Sequence, residues 1–277
     1  MSPVILQILT LTGLILVGAG CQESPTTHHS KRKLVITGSS TVAPLMAEIG
    51  KRFEILQSGV RIDVQTGGSS RGIADARQGL ADIGMTSRAL TSDETDLHGT
   101  AIARDGIGVI IHTSNVVSAL DDGQIADIYT GRITNWNAVG GADALIVVVN
   151  KAEGRATLEL FLKYLNLINT EIQAHVIIGD NEQGIKTVAG NPNAIAYVSI
   201  GTAEYDARRE APIKLLPLGN VPATLETLRT GTFPLTRPLT LVTKTPPSGL
   251  IKTFIDFARS PDVHDLVTQH FFVPIPS

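Results

Sequence analysis

Leu34-Val35-Ile36-Thr37-Gly38-Ser39-Ser40-Thr41-Val42-Ala43-Pro44-Leu45-Met46 is the stretch that decides the fold. Leu34-Val35-Ile36 has the pattern of a short buried strand, and it runs straight into a Gly-Ser-Ser-Thr turn. Beyond the turn, Val42, Leu45, Met46, Ile49, Phe53 and Leu56 recur at the spacing of one helix face. Pro44 suits the first turn of that helix, where no backbone N–H is needed. The unit is therefore strand, hydroxyl-rich turn, helix.

The same unit recurs along the chain. Val60 to Gln65 alternates as a strand, ends at Gly67-Gly68-Ser69-Ser70-Arg71-Gly72, and is followed by a helix carrying Ile73, Ala76 and Leu80. Ile83-Gly84-Met85 is a third short strand, leading into Thr86-Ser87-Arg88, and Ile107 to His112 is an apolar strand. Ile125 to Tyr129 reads as helix. Ile146-Val147-Val148-Val149 is a buried strand that leads through Lys151-Ala152-Glu153-Gly154-Arg155-Ala156-Thr157 into a helix with Leu158, Phe161, Tyr164, Leu165 and Ile168. Ile195 to Val198, Ile213 to Leu218 and Leu239 to Val242 read as strands, and two helices around Leu250–Ala258 and Val263–Val267 close the chain. No internal repeat of fixed period is present. Alternating strands and helices predict an α/β fold with mostly parallel sheets flanked by helices.

Composition narrows the function classes. The 277 residues suffice for two lobes of ordinary size, and a formal net charge of −3 gives no basic excess for nucleic acid. An anionic ligand would have to be held by local donors rather than by a global positive field. Residues 4–20 carry no ionisable side chain and end in Gly18-Ala19-Gly20, which predicts a signal peptide over 1–20, although no Lys or Arg precedes the apolar run. The sole cysteine, Cys21, follows directly, so no intramolecular disulfide is available. Its position resembles a lipobox, with Gly18 where Leu is usual; lipid attachment at Cys21 and a polar tether over 21–32 are expected.

Four strand ends carry hydroxyl or cationic residues: Ser39-Ser40-Thr41, Ser69-Ser70, Ser87-Arg88, and Lys151 through Thr157. Ligands of parallel α/β sheets bind at the carboxyl ends of strands, and a helix N-terminus there offers free N–H groups to an oxyanion. One such turn alone is more often a plain helix cap. Four at equivalent places, three of them without a compensating acidic cluster, point to an anion site. The seven histidines are scattered and none has a metal-ligand spacing such as H-E-x-x-H, so no metal, cofactor or catalytic residue is expected.

Gly38-Ser39-Ser40-Thr41-Val42-Ala43-Pro44-Leu45 resembles the opening motif of the phosphate-binding subunits of bacterial phosphate ABC transporters, in the type II periplasmic binding protein superfamily. Gly67 to Gly72 resembles that family's second ligand loop and Ala81 to Arg88 its third. Asp105-Gly106-Ile107, Ile128 to Trp136 and Ala196-Tyr197-Val198 match further landmarks. The resemblance implies two α/β lobes, with the ligand in the cleft between them. Lobe one would hold 33–112 and 237–277 and lobe two 113–236, with Ile107–His112 and Leu239–Lys244 as the crossings. It implies an exported, monomeric, non-enzymatic protein that captures inorganic phosphate and delivers it to an ABC permease in the cytoplasmic membrane. The implied anion ligands are Ser39, Ser40, Thr41, Ser69, Ser70, Ser87, Arg88, Lys151, Gly154, Arg155 and Thr157.

The fourth loop departs from the family pattern of Arg, an acidic residue and then Gly-Ser-Gly-Thr. Lys151 stands in the Arg place, Arg155 replaces the Ser, Ala156 replaces the second Gly, and Thr157 is retained. Arg grips a tetrahedral oxyanion with a fork, whereas Lys acts as a point charge. Ser87 stands where some relatives carry an Asp that accepts a proton from phosphate; Asp105 and Glu153 are the carboxylates that could substitute. Another oxyanion or a small phosphorylated compound is therefore the alternative ligand. A phosphate-ester hydrolase and a non-transport surface protein are the alternatives from other classes.

Overall fold

The computed structural model describes residues 32–275. The expected leader, Cys21 and all but the last residue of the expected tether lie outside the described residues.

The deciding stretch folds as read. Strand β1 (Arg32–Gly38) gives way to a tight turn and to helix α1 (Ala43–Leu56), with Pro44 in its first turn. The face predicted from spacing is buried: Leu45, Met46 and Ile49 are inaccessible to solvent and Phe53 nearly so. Leu56, at the frayed end, is exposed. Strand β2 (Val60–Thr66) and helix α2 (Ser69–Gln78) repeat the unit, and strand β3 (Ile83–Thr86) follows. β1 lies between β2 and β3, parallel to both, so three strands deliver their carboxyl ends to one edge.

Strand β4 (His98–His112) is fifteen residues long, starting well before the apolar segment read from the sequence. Its first part pairs along β9 (Thr236–Thr243) and begins with exposed and half-buried residues, so it shows no apolar run. Pairing with β9 ends at Gly106↔Thr236, and from Ile107 the same strand pairs with β7 (Ala194–Ser199) and β8 (Ile213–Leu215). Between β4 and β7 the chain forms α3 (Asp122–Tyr129), β5 (Val147–Lys151), α4 (Ala156–Leu165), β6 (Val176–Ile178) and α5 (Asn181–Gly190). After β7 come α6 (Ile200–Ala207), β8, α7 (Leu225–Arg229) and β9. The chain ends with α8 (Gly249–Arg259), α9 (His264–Gln269) and the short β10 (Val273–Pro274).

The sheet is mixed. β1, β2 and β3 are parallel, and so are β5, β6 and β7, whereas every pairing of β4 and β9 is antiparallel because these strands run back across the molecule. One main apolar core draws on residues 34–103 and 239–272 and a second on 107–235 with Val273, with a smaller cluster beside each. Leu80 and Ile168, assigned to helices from spacing, fall beyond their ends, and Val42 and Val263 cap theirs. Gly79 (φ 74°) ends α2, leaving Leu80 exposed, and Asn166 in the left-handed region (φ 54°) ends α4, leaving Ile168 exposed. Among the described residues no helix is long and apolar enough to cross a membrane.

Candidate anion site

The turns after β1, β2 and β3 are tied to one another by their backbones. The amides of Gly67 and Gly68 both donate to the Gly38 carbonyl at 2.9 Å, and the Ser39 amide donates to the Met85 carbonyl at 2.9 Å. Ser69 Oγ accepts the Ser87 amide at 3.2 Å, and Ser39 Oγ accepts the Thr41 amide at 3.3 Å. Gly68 precedes α2 with φ 96°, a conformation that a side chain would strain. At Gly72 a Cβ would fall 2.7 Å from two carbonyl oxygens, which explains why α2 can press its first turn onto the strand ends.

The fourth turn comes from the other core. Tyr197 on β7 stacks on Phe161 of α4 with ring centroids 3.7 Å apart, and its hydroxyl donates to Asn150 Oδ1 at 2.5 Å and accepts the Lys151 amide at 3.3 Å. This fixes the end of β5 against the start of α4. The amides of Ala156 and Thr157, the first two of α4, have no partner among the described residues. Such free N–H groups at a helix start suit an anion.

These turns line a small cavity with about 220 Å³ of empty space including its mouth. Of the residues expected at the site, Ser39, Ser40, Thr41, Ser69, Ser87, Lys151, Arg155 and Thr157 line it. Gly68, Ala156, Gly179 and Asn181 complete the lining, which contains no carboxylate.

Lys151 is 3% exposed and its ammonium nitrogen donates to the Asp180 carbonyl at 3.0 Å and to Asn181 Oδ1 at 3.1 Å. Burial is the main reason its pKa falls from the ordinary lysine value to about 7; Arg237 and Arg155 push the same way and Asp180 opposes. Arg155 lies alongside Gly68 and Gly179, its Nε is buried without a partner, and it forms no ion pair among the described residues. An unpaired guanidinium at the mouth of a cavity without carboxylates is an invitation to an anion.

Ser70, Arg88 and Gly154 do not line the cavity. They build its rim instead. The Gly154 carbonyl accepts the Ser70 amide at 3.2 Å. Arg88 donates to both oxygens of Glu94 at 2.8 and 2.9 Å and to Glu159 of α4 at 2.8 Å, so its fork is occupied. Asp105 and Glu153 are also away from the lining. Glu153 is exposed and accepts from Asn169, while Asp105 is fully buried.

Two participants, Asn181 and Arg237, were not visible from the sequence, and Asp105 was read there only as a substitute proton acceptor. Asn181, at the start of α5, donates to Thr41 Oγ1 at 3.0 Å and brings a fifth turn to the cavity. Asp105 and Arg237 face each other across β4 and β9, with Arg237 Nη2 2.9 Å from Asp105 Oδ2 and both side chains fully buried. Burial penalises the Arg237 charge and Asp105 offsets that penalty. The available signal was an arginine two positions before one apolar crossing and an aspartate two positions before the other.

Comparison with known proteins agrees with this geometry. Residues 24–262 match the model of a PBP superfamily domain. A candidate phosphate ABC transporter substrate-binding protein of Clostridium perfringens, solved with bound phosphate, is 33% identical and superposes with a TM-score of 0.81 over 88% of this chain and 100% of that one. An ABC-type phosphate transport receptor of Vibrio cholerae is 28% identical, with a TM-score of 0.72 over 88% of this chain and 100% of that one. The phosphate-binding protein PstS of Bacillus subtilis is 26% identical over 87% of this chain and 80% of its own length.

Proposed function

Since the chain belongs to the PBP superfamily, among the phosphate-binding subunits of phosphate ABC transporters, we propose that it captures inorganic phosphate in the cavity between its two cores and hands it to an ABC permease. The observation that carries this reading is the carboxylate-free cavity, lined by buried hydroxyls, by the free amides of α4, and by Lys151 and the unpaired Arg155. Its role is in transport rather than catalysis. It acts outside the cytoplasmic membrane, held there by lipid on Cys21, and works as a monomer.

The ligand residues in this reading are Ser39, Ser40, Thr41, Ser69, Ser87, Lys151, Arg155 and Thr157, joined by Asn181. Residues 33–112 with 237–277 form one lobe and 113–236 the other. Capture proceeds by closure of the lobes about the segments where β4 and β9 cross. The contacts Arg88–Glu159, Ser70–Gly154 and Asn181–Thr41 join the two sides and support reading this arrangement as the closed one. A second ligand reading, sulfate or another tetrahedral oxyanion, has its own support: the lining offers no carboxylate to accept a phosphate proton.

Calorimetric titration of the mature protein with phosphate, sulfate, arsenate and molybdate decides the ligand. Phosphate should bind most tightly, and small-angle scattering should show a smaller radius of gyration at saturation. A protein that takes up sulfate but not phosphate, or none of the four anions, refutes the phosphate reading. An unchanged scattering profile with bound ligand refutes closure. Release of the Cys21→Ser variant from membranes checks the anchor.

A further inference from the structure

Arg237 stands beside the cavity without lining it. A guanidinium has five N–H donors, and those of Arg237 are all spent inside the protein. Nε and Nη2 donate to Asp105 Oδ2 at 3.1 and 2.9 Å. Nη1 donates to Thr157 Oγ1 at 2.8 Å and to Ser87 Oγ at 3.2 Å, and Nη2 reaches Thr41 Oγ1 at 3.4 Å. No N–H remains for a ligand. The three hydroxyls it touches all line the cavity, and they come from three different turns: after β1, after β3 and at the start of α4.

A hydroxyl has one O–H and two lone pairs. Thr41 Oγ1 receives both Arg237 and Asn181 Nδ2, so both of its lone pairs are filled. The orientation of the Asn181 amide follows from its other partners, because Oδ1 accepts from Lys151 Nζ and from the Ser199 amide. Ser87 and Thr157 each have one lone pair filled by a charged donor, which polarises their O–H bonds outward. None of the three hydroxyl hydrogens has an acceptor among the described residues.

We propose that Arg237 is a positioning residue of the anion site: it does not touch the ligand but turns the O–H bonds of Thr41, Ser87 and Thr157 into the cavity, leaving Thr41 no lone pair and Ser87 and Thr157 one each. Asp105 holds it there through two bonds and, with its other oxygen, accepts the Gly201 amide at 3.2 Å, so the pair is anchored where the crossing strands meet. Because Thr157 comes from the opposite side to Thr41 and Ser87, the donor set is complete only when the cavity is closed. The inference rests on the anion-binding reading above, and it adds a specificity rule. A floor of committed donors serves an anion that offers lone pairs, so it favours the more deprotonated forms of a tetrahedral oxyanion.

The test is titration with phosphate and with sulfate of wild type, Arg237→Gln, and Arg237→Gln combined with Asp105→Asn, which removes the charge that Arg237→Gln leaves unpaired. Both variants should bind at full stoichiometry with Kd raised about ten- to a hundredfold, and sulfate should lose more than phosphate, since a freed hydroxyl can accept the phosphate proton. Thr157→Val should weaken wild type but change Kd several-fold less in the Arg237→Gln background, because the two residues act through one hydroxyl. Lowered stoichiometry with an unchanged Kd, or the same fold-loss from Thr157→Val in both backgrounds, makes Arg237 a purely structural residue and overturns the inference. So does unchanged affinity in all of Thr41→Val, Ser87→Ala and Thr157→Val, a result independent of whether Arg237 variants fold. Wild type that binds neither anion refutes the functional reading, and this inference with it.

Discussion

The floor of the cavity and its rim each set an arginine against carboxylates, and the two are built for different work. At the floor, Arg237 and Asp105 sit on neighbouring strands, both with fully buried side chains, and all five guanidinium donors are satisfied at fixed positions. At the rim, Arg88 joins Glu94 on its own side to Glu159 across the cleft, and Glu159 is 40% exposed in its side chain. A buried pair is expensive to break because whichever partner is left has no water. A pair open to solvent is screened and replaceable. The floor therefore holds geometry constant, and the rim is the contact that would part and re-form under the proposed closure.

The largest expected effect lies at the floor. Asp105→Ala should lower the free energy of unfolding by about 3–5 kcal/mol, read by urea titration, because Arg237 would keep a buried charge with no partner. A loss under 1 kcal/mol would erase the distinction between floor and rim. Next is the mouth, where Arg155 is unpaired. Arg155→Ala should weaken phosphate binding by about 1.5–3 kcal/mol, roughly ten- to a hundredfold, while the free energy of unfolding in urea titration stays within about 0.5 kcal/mol of wild type. Arg155→Ser, the residue of many relatives, should recover less than wild-type affinity because Lys151 still lacks a fork. Wild-type affinity in Arg155→Ala would leave this turn's role to Lys151 and Thr157.

Lys151 sharpens the contrast in another way. Its pKa of about 7 leaves it mostly neutral at pH 8 in the empty site, and a bound anion raises that pKa. Binding at pH 8 should therefore draw up to about one proton per anion onto Lys151, and at pH 6 almost none, since the group is already charged. Calorimetry in buffers of different ionisation enthalpy measures the uptake, and Lys151→Arg should abolish its share. Equal uptake in both proteins would assign the proton elsewhere.

The smallest effects belong to the rim. Arg88 holds the Glu94 carboxyl down to a pKa of about 2, against an ordinary value of 4.5. A carboxylate with a lowered folded pKa stabilises the fold above its ordinary pKa and loses that contribution as pH falls through the folded value. Stability should thus decline between about pH 4.5 and 2, and Glu94→Gln should flatten that part of the profile. Glu159→Gln should change stability by about 0–1 kcal/mol, less at high salt. A salt-insensitive loss as large as that of Asp105→Ala would show that the rim is a lock rather than a movable contact.

The strand, turn and helix order from β1 to β3 and from β5 to α4 was legible in the sequence, and so were the hydroxyls at the ends of β1, β2 and β3, whereas β6, α5, α6 and α7 were not read. Each rests on a pattern within about fifteen residues: apolar spacing fixes which face is buried, and the residue that ends a strand opens the next helix. Lys151, Arg155 and Thr157 were legible for the same reason, since their turn follows a buried strand. What reached further was decided by the tertiary structure. Arg88 follows a strand end like the other site residues, yet Glu94 and Glu159 turn its fork away from the cavity. Arg237 is 132 residues from Asp105, and their pairing is set by the register of β4 against β9. Periodicity in a sequence reports which side of an element is dry; it carries no record of which distant strand supplies the opposite charge, because that depends on register between strands, and register is fixed only when the whole core packs.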